Sequence, residues 1–256
     1  MTERRAALRN YIQAKGEVST AELLERFAEK SPATIRRDLS YLEKTGCITR
    51  THGMARVNRQ SVMQPEAFYS EREGENARLK QAIAARALSL IEERRSLFLD
   101  SGTTLMAFAR ALPDVNLSVL TAAPNIALYI AAQKPTCTAL LTGGTLNPKT
   151  LSCSGYGSAE ALNMLNIDIA FMGASGFSVG SGFTVGEYFE CELKRTVMSK
   201  SVKSIVLMDS SKIGKSMPYT FARPSDINIV VTDGGIDPKT RRALTDKGVT
   251  LLICDE

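Results

Sequence analysis

Seven short apolar runs, at 97–99, 118–120, 139–141, 167–172, 205–208, 227–231 and 249–254, constrain this chain more than any other feature. An uninterrupted apolar run of that length fits a strand buried on both faces, whereas a half-exposed strand alternates. The stretches between the runs carry helical periodicity. Together they predict an α/β fold of Rossmann-like type, a largely parallel sheet covered by helices on both faces. A long helix is expected ahead of the first strand, over 75–92, with Leu79, Ile83, Ala84, Ala87, Leu90 and Ile91 on its inner side.

The residues closing these runs bear on function. Asp100, Ser101, Gly102, Thr103 and Thr104 follow the first run, Thr121 to Asn125 the second, Thr142-Gly143-Gly144-Thr145 the third, Gly173 to Gly176 the fourth and Asp209 to Lys212 the fifth. Ligands of open α/β sheets bind at these carboxyl ends. Gly102 permits close backbone approach, Thr103 and Thr104 supply hydroxyls, and a helix beginning there aims N–H groups at an anion. Lys212 adds a point charge, so a phosphate group is the expected guest. Each piece alone reads equally as an ordinary turn, a surface lysine at Lys212 or a local cap at Asp209. Five polar strand ends on one edge favour the ligand reading for Asp100, Ser101, Gly102, Thr103, Thr104, Thr121, Gly143, Gly144 and Lys212.

The first quarter of the chain has a different character. Residues 1–60 hold 12 Lys and Arg against 7 Asp and Glu, while the remainder carries 20 of each, so the whole net charge of +5 sits at this end. Such asymmetry suits a small nucleic-acid-binding module joined to a neutral domain. Ala7, Leu8, Tyr11 and Ile12 recur at helical spacing before Lys15-Gly16 supplies a stop. Ser19 or Thr20 then caps a second helix through Ala21, Leu23, Leu24 and Phe27, and Ser31-Pro32 opens a third. On the third helix Ile35, Leu39 and Leu42 form one face, with Ala33, Arg37, Ser40 and Lys44 opposite. Residues 47–57, β-branched and basic around Gly53, predict a hairpin wing.

A helix in the major groove can direct arginine to guanine edges while basic wing residues hold phosphates. Arg37 is placed nearest the bases, with Ser31, Ala33, Thr34 and Ser40 on the same helix, and Arg36, Arg50 and Arg56 on the backbone. His52 at the hairpin tip suits a phosphate or a minor-groove edge, and equally an ordinary turn histidine. The competing reading of Arg36 and Arg37 is a solvated face in which an arginine pairs with Asp38.

Composition, at 44% hydrophobic and 23% charged, is that of a globular protein, and 256 residues leave room for one or two domains with cores. No run approaches a membrane span and Met1 to Arg5 lacks the apolar core of a signal peptide, so a cytoplasmic protein without membrane partners is expected. Five scattered cysteines and one histidine argue against structural zinc or a disulfide framework. The expected layout is a winged helix-turn-helix over 1–58, a linker over 59–74 and an α/β domain over 75–256.

The run Ser31-Pro32-Ala33-Thr34-Ile35-Arg36-Arg37-Asp38-Leu39, followed by Leu42-Glu43, Gly46 and Arg50-Thr51-His52-Gly53, resembles the winged helix of the DeoR family of bacterial transcription regulators. The family usually has a second glycine where this chain has Met54. The second half is similar to that family's sensor domain through residues 100–104, Gly143-Gly144, 168–176, Gly182-Phe183-Thr184, 209–214 and Thr232-Asp233. That domain resembles ribose-5-phosphate isomerase and sugar-phosphate deaminases. The resemblance implies a repressor that binds double-stranded operator DNA as a homodimer or homotetramer, responds to a phosphorylated sugar and needs no cofactor. Two departures stand in the presumed pocket: Thr121-Ala122-Ala123 where the family has Thr-Asn-Ser, and Ser175 in place of an acid. Ser175 cannot serve as the base an isomerase needs, leaving Glu187, Glu190 or Asp209 for any such chemistry. A sugar-phosphate isomerase-like enzyme carrying an N-terminal helix-turn-helix is therefore the rival reading.

Overall fold

The computed structural model describes residues 3–44, 48–51, 53–57 and 67–254. The chain divides into two compact units, 1–64 and 65–256.

In the first unit, α1 (Glu3–Lys15) buries Leu8 and Ile12, one turn apart, and ends at Gly16, whose φ of 79° suits a residue without Cβ. A three-residue strand β1 (Glu17–Ser19) follows. Ser19, rather than Thr20, caps α2 (Thr20–Arg26), its Oγ accepting from the Glu22 amide at 3.0 Å. Helix α3 (Pro32–Lys44) starts where the Ser31 Oγ accepts from the Thr34 amide at 3.3 Å. Its Ile35, Leu39 and Leu42 are fully buried against Leu8, Ile12, Val18 and Leu23. Strands β2 (Ile48–Thr51) and β3 (Met54–Val57) form the expected hairpin, and Gly53 at its tip has φ 81°. Met54, where the family has a glycine, lies within β3. Strand β1 pairs antiparallel with β3, giving the order β1-β3-β2. Three residues are too few for a periodicity to show, and β1 was not expected. Cys47 and His52 lie outside the described residues.

The second unit begins its described part with α4 (Tyr69–Gly74), inside the stretch expected as linker, and α5 (Ala77–Ala87). The helix expected over 75–92 is shorter at both ends. Glu75 is extended and Asn76 left-handed, with φ 53°, while a single 3₁₀ turn at Leu88–Leu90 replaces the last part.

Strands β4 (Ser96–Leu99), β5 (Ser118–Thr121), β6 (Thr138–Leu141), β9 (Ile167–Met172), β12 (Ser201–Leu207), β14 (Ile229–Asp233) and β15 (Thr250–Cys254) correspond to the seven apolar runs. They make one sheet in the order β15-β14-β12-β9-β4-β5-β6, every neighbouring pair parallel. Period-two alternation divides the buried residues between two faces. Leu97, Leu99, Phe171 and Leu207 pack with α5, α6 (Thr103–Ala111) and α7 (Pro124–Gln133). Phe98, Ala170, Met172 and Val206 pack with α9 (Tyr188–Lys200) and α10 (Pro238–Thr245).

Helices do not fill every crossover. Strands β7 (Thr145–Asn147) and β8 (Ser152–Ser154) form a hairpin ahead of α8 (Tyr156–Ala161). Strands β10 (Gly176–Ser178), β11 (Gly182–Val185) and β13 (Tyr219–Ala222) form an antiparallel sheet, with β13 occupying the connection from β12 to β14.

Candidate functional sites

The first unit offers a basic helix face. Opposite the buried stripe of α3, residues Ser31, Ala33, Arg36, Arg37 and Ser40 are exposed, and Thr34 is half-buried with its hydroxyl 2.9 Å from that of Ser31. Arg50 on β2 reaches the same face, donating to Ser40 Oγ at 3.2 Å and lying 3.7 Å from Glu43. The wing and α3 therefore present one surface. Arg56 is exposed on β3, its guanidinium on the Glu17 carboxylate at 2.8 Å, a partner the sequence reading did not anticipate.

Asp38 is not the surface partner of Arg36 or Arg37. It is 1% exposed and accepts from the guanidinium groups of Arg4 and Arg5 on α1, the latter at 2.8 Å. The hydrogen bond from Arg4 holds the Asp38 carboxyl below its ordinary pKa against the opposing effect of burial, with Arg5 adding to it. Arg5 also stacks on Tyr41, 3.9 Å from the ring centre. Asp38 thus ties the exposed helix to the start of α1.

In the second unit, sheet order determines where a ligand site can form. Chain direction across the sheet reverses after β4, with β5 and β6 on one side and β9, β12, β14 and β15 on the other. The carboxyl ends of β4 and β9 flank that switch point. A cleft lies there, lined after β4 by Ser101, Gly102, Thr103 and Thr104, after β9 by Gly173, Ala174 and Ser175, and after β12 by Met208 and Lys212. Gly102, at φ 108°, stands at the N-cap of α6, and no side chain of the described residues caps that helix. Its first amides therefore face the cleft as donors for an anion.

Of the strand-end residues expected to bind a ligand, Ser101, Gly102, Thr103, Thr104 and Lys212 line this cleft; Asp100, Thr121, Gly143 and Gly144 do not. The cleft is lined from the ends of β4, β9 and β12 and so is centred on β9, from which β5 and β6 stand two and three spacings, roughly 10 and 15 Å. Thr121 instead accepts from the Ala123 amide at 3.0 Å, and the Gly143 carbonyl accepts from Ser158. Ala122 and Ala123 are core residues, on opposite faces of the sheet.

Asp100 lies beneath the cleft floor, accepting from the Gly173 amide at 2.8 Å and from Lys194. Lys194 of α9 also pairs with Glu190 at 3.3 Å, all three groups being buried. Burial acts to lower the Lys194 pKa, but the charges of Asp100 and Glu190 outweigh it and the net shift is upward. Lys194 therefore stays an ammonium. It, Arg72 and Thr150 line the cleft without having been expected there, and Glu190, named above only as a residual base for isomerase-like chemistry, lines it too. They come from α4, α9 and the β7–β8 turn, which no strand-end pattern marks. Ser175 lines the cleft too, with its amide on the Thr184 carbonyl at 3.0 Å.

Among the described residues, no three His, Cys, Asp or Glu side chains gather as a metal centre requires. No described helix is long and apolar enough to cross a membrane. Cys137, Cys153 and Cys191 are buried, and burial pushes their thiols above the ordinary range.

A winged helix-turn-helix with a basic face, joined in one chain to an α/β unit with a switch-point cleft, defines a DNA-binding regulator with a sensor domain. Residues 4–61 match the DeoR-like helix-turn-helix domain and residues 75–234 the DeoR C terminal sensor domain, and the chain belongs to the DeoR family of transcriptional regulators. It is 35% identical to the HTH-type transcriptional regulator GlpR of Haloferax volcanii over 87% of this chain and 86% of that protein. It is 30% identical to the glycerol-3-phosphate regulon repressor of Escherichia coli K12, covering 99% of both. Among solved structures, ribose 5-phosphate isomerase A of Methanocaldococcus jannaschii aligns with 55% of this chain and 56% of its own at 20% identity and a TM-score of 0.41.

Proposed function

We propose that this protein represses a carbohydrate-metabolism operon and that a phosphorylated sugar in the strand-end cleft modulates its grip on operator DNA. The observation carrying this reading is the cleft itself, where Arg72 and Lys212 converge with the uncapped start of α6. Two cations and a helix N-terminus favour a phosphate, and the Ser101, Thr103 and Thr104 hydroxyls suit a sugar. The glycerol-3-phosphate regulon repressor among the relatives supports the same ligand class.

On the DNA side, Arg37 reads base edges, Arg36 and Arg50 contact phosphates, and Ser31, Ala33, Thr34 and Ser40 pack along the groove. Arg56 joins them by exchanging Glu17 for a phosphate. Two or four copies bind together, since paired modules gain affinity and match a symmetric operator. The protein acts in the cytoplasm, where such DNA and metabolites meet.

The test is a titration of DNA from upstream of its own gene and the neighbouring operon at fixed salt, repeated with a panel of sugar phosphates. Operator binding that one member loosens or tightens supports the reading and gives the sign of the response. Turnover of a panel member without specific DNA binding would establish the isomerase-like alternative instead.

A further inference from the structure

Arg72 belongs to the stretch that sequence pattern assigns to a linker, yet it lines the same cleft as Thr104 and Lys212. It sits on α4, the first described element after residues 58–66 in chain order. Helix α4 is tied to α5 through the main chain, because the buried Lys80 ammonium donates to the Arg72 carbonyl. Between the two helices stands Asn76, at φ 53° and ψ 33°. Asparagine is the non-glycine residue that adopts this left-handed conformation most readily.

Its side chain is anchored by a distant carboxylate. The Asn76 side-chain amide donates to Asp209 Oδ1 at 3.2 Å. Asp209 is itself 1% exposed and caps the 3₁₀ turn Ser210–Lys212 through the Ser211 amide, at 3.0 Å. That turn carries Lys212 into the cleft. The α4–α5 joint is therefore connected to the cleft twice, directly at Arg72 and through Asp209 to Lys212.

We propose that Arg72 binds the anionic group of the effector and that the α4–α5 joint, pivoting at Asn76, is the element that effector binding resets. The inference rests on the sugar-phosphate reading above. A guanidinium can grip a phosphate through two parallel N–H···O bonds, which fixes its orientation as well as its distance. An anion gripped by both Arg72 and Lys212 couples α4 to the turn after β12. It thereby gives the ligand different contacts in two positions of the joint, which any change in DNA affinity requires.

The full-length protein tests this with glycerol 3-phosphate, ribose 5-phosphate and inorganic phosphate as probes. Calorimetry measures probe affinity, and fluorescence anisotropy on an operator fragment measures DNA affinity with and without the tightest probe. Arg72→Gln is expected to weaken that probe about tenfold or more, the loss of a charge-assisted hydrogen bond, with Arg72→Lys recovering part of it. Arg72→Lys carries the test if Arg72→Gln fails to fold. Asn76→Gly keeps the left-handed backbone and removes the Asp209 contact, so it is expected to bind the probe as before while the change in operator affinity shrinks about threefold or more. Wild-type probe affinity in both Arg72 variants, or a full DNA response in Asn76→Gly, overturns the inference and leaves the sugar-phosphate reading standing. If no probe binds the wild-type protein, that reading falls and the inference falls with it.

Discussion

Lys194 and Arg37 are both helical cations, and their surroundings give them opposite work. Lys194 and Asp100 have side chains 2% exposed each, so neither charge has water to fall back on. Removing Lys194 leaves Asp100 and Glu190 buried without their shared counter-charge. Lys194→Met is expected to lower stability by about 3–5 kcal/mol, read as a fall in the urea midpoint at unchanged slope, and Lys194→Met with Asp100→Asn to lose less than the two single changes combined. The pH dependence follows from the raised Lys194 pKa. The pair's contribution is fully present below the ordinary lysine value of 10.5 and is lost as pH rises through the higher folded value. Thermal melts in the alkaline range would register that decline, and a melting temperature indifferent to pH there would contradict it. Arg37, by contrast, is exposed and contributes nothing comparable to the core. Arg37→Ala should leave the melt unchanged and weaken specific operator binding by about 1–3 kcal/mol, if it pairs bidentately with a guanine, while relaxing preference at one base position.

At the level of elements, the tie between α1 and α3 decides how firmly the exposed face is held. Asp38 accepts from both Arg4 and Arg5, and Asp38→Ala removes both bonds at once. A loss of about 1.5–3 kcal/mol is expected, partly offset because the arginines keep some access to water, and it should appear as easier proteolysis within the first unit. Since the folded Asp38 pKa lies below its ordinary 3.8, this tie is complete above that value and is lost as pH falls through the lower folded one. Nothing in the run Arg36-Arg37-Asp38 announces partners more than thirty residues away. The same contrast separates what the sequence disclosed from what it did not. The seven parallel strands were legible because burial on both faces leaves continuous apolar runs, and the buried stripe of α3 because one-sided burial imposes a helical period. Strand β1 and the antiparallel strands β7, β8, β10, β11 and β13 were not, since these three- and four-residue segments, set in short hairpins or against distant strands, mix small and polar residues and present no apolar run. The cleft was half legible for a related reason. Ser101, Gly102, Thr103, Thr104 and Lys212 follow strands, whereas Arg72, Thr150, Glu190 and Lys194 reach the switch point only through tertiary packing, and Thr121, Gly143 and Gly144 end strands too far along the sheet.

For the whole molecule, the separation of a basic first quarter from a charge-balanced remainder makes two kinds of measurement independent. Operator affinity should fall steeply with salt, because each phosphate neutralised releases counterions and adds about 0.9 to the slope of log affinity against log salt. Arg36→Gln should reduce that slope by about one for each copy engaged, across specific and non-specific DNA alike. The effector response obeys a different constraint. If a sugar phosphate changes operator affinity by some factor, then operator DNA must change the affinity for that sugar phosphate by the same factor, because both describe one free energy of coupling. Titrating DNA with and without saturating ligand, and ligand with and without saturating DNA, under one salt concentration, gives two estimates of that factor. Agreement between them is expected for a sensor that shifts a single equilibrium between two arrangements of the chain. Disagreement at fixed subunit concentration would mean that the ligand acts on the number of copies assembled as well, and the two titrations would then drift apart further as the protein is diluted.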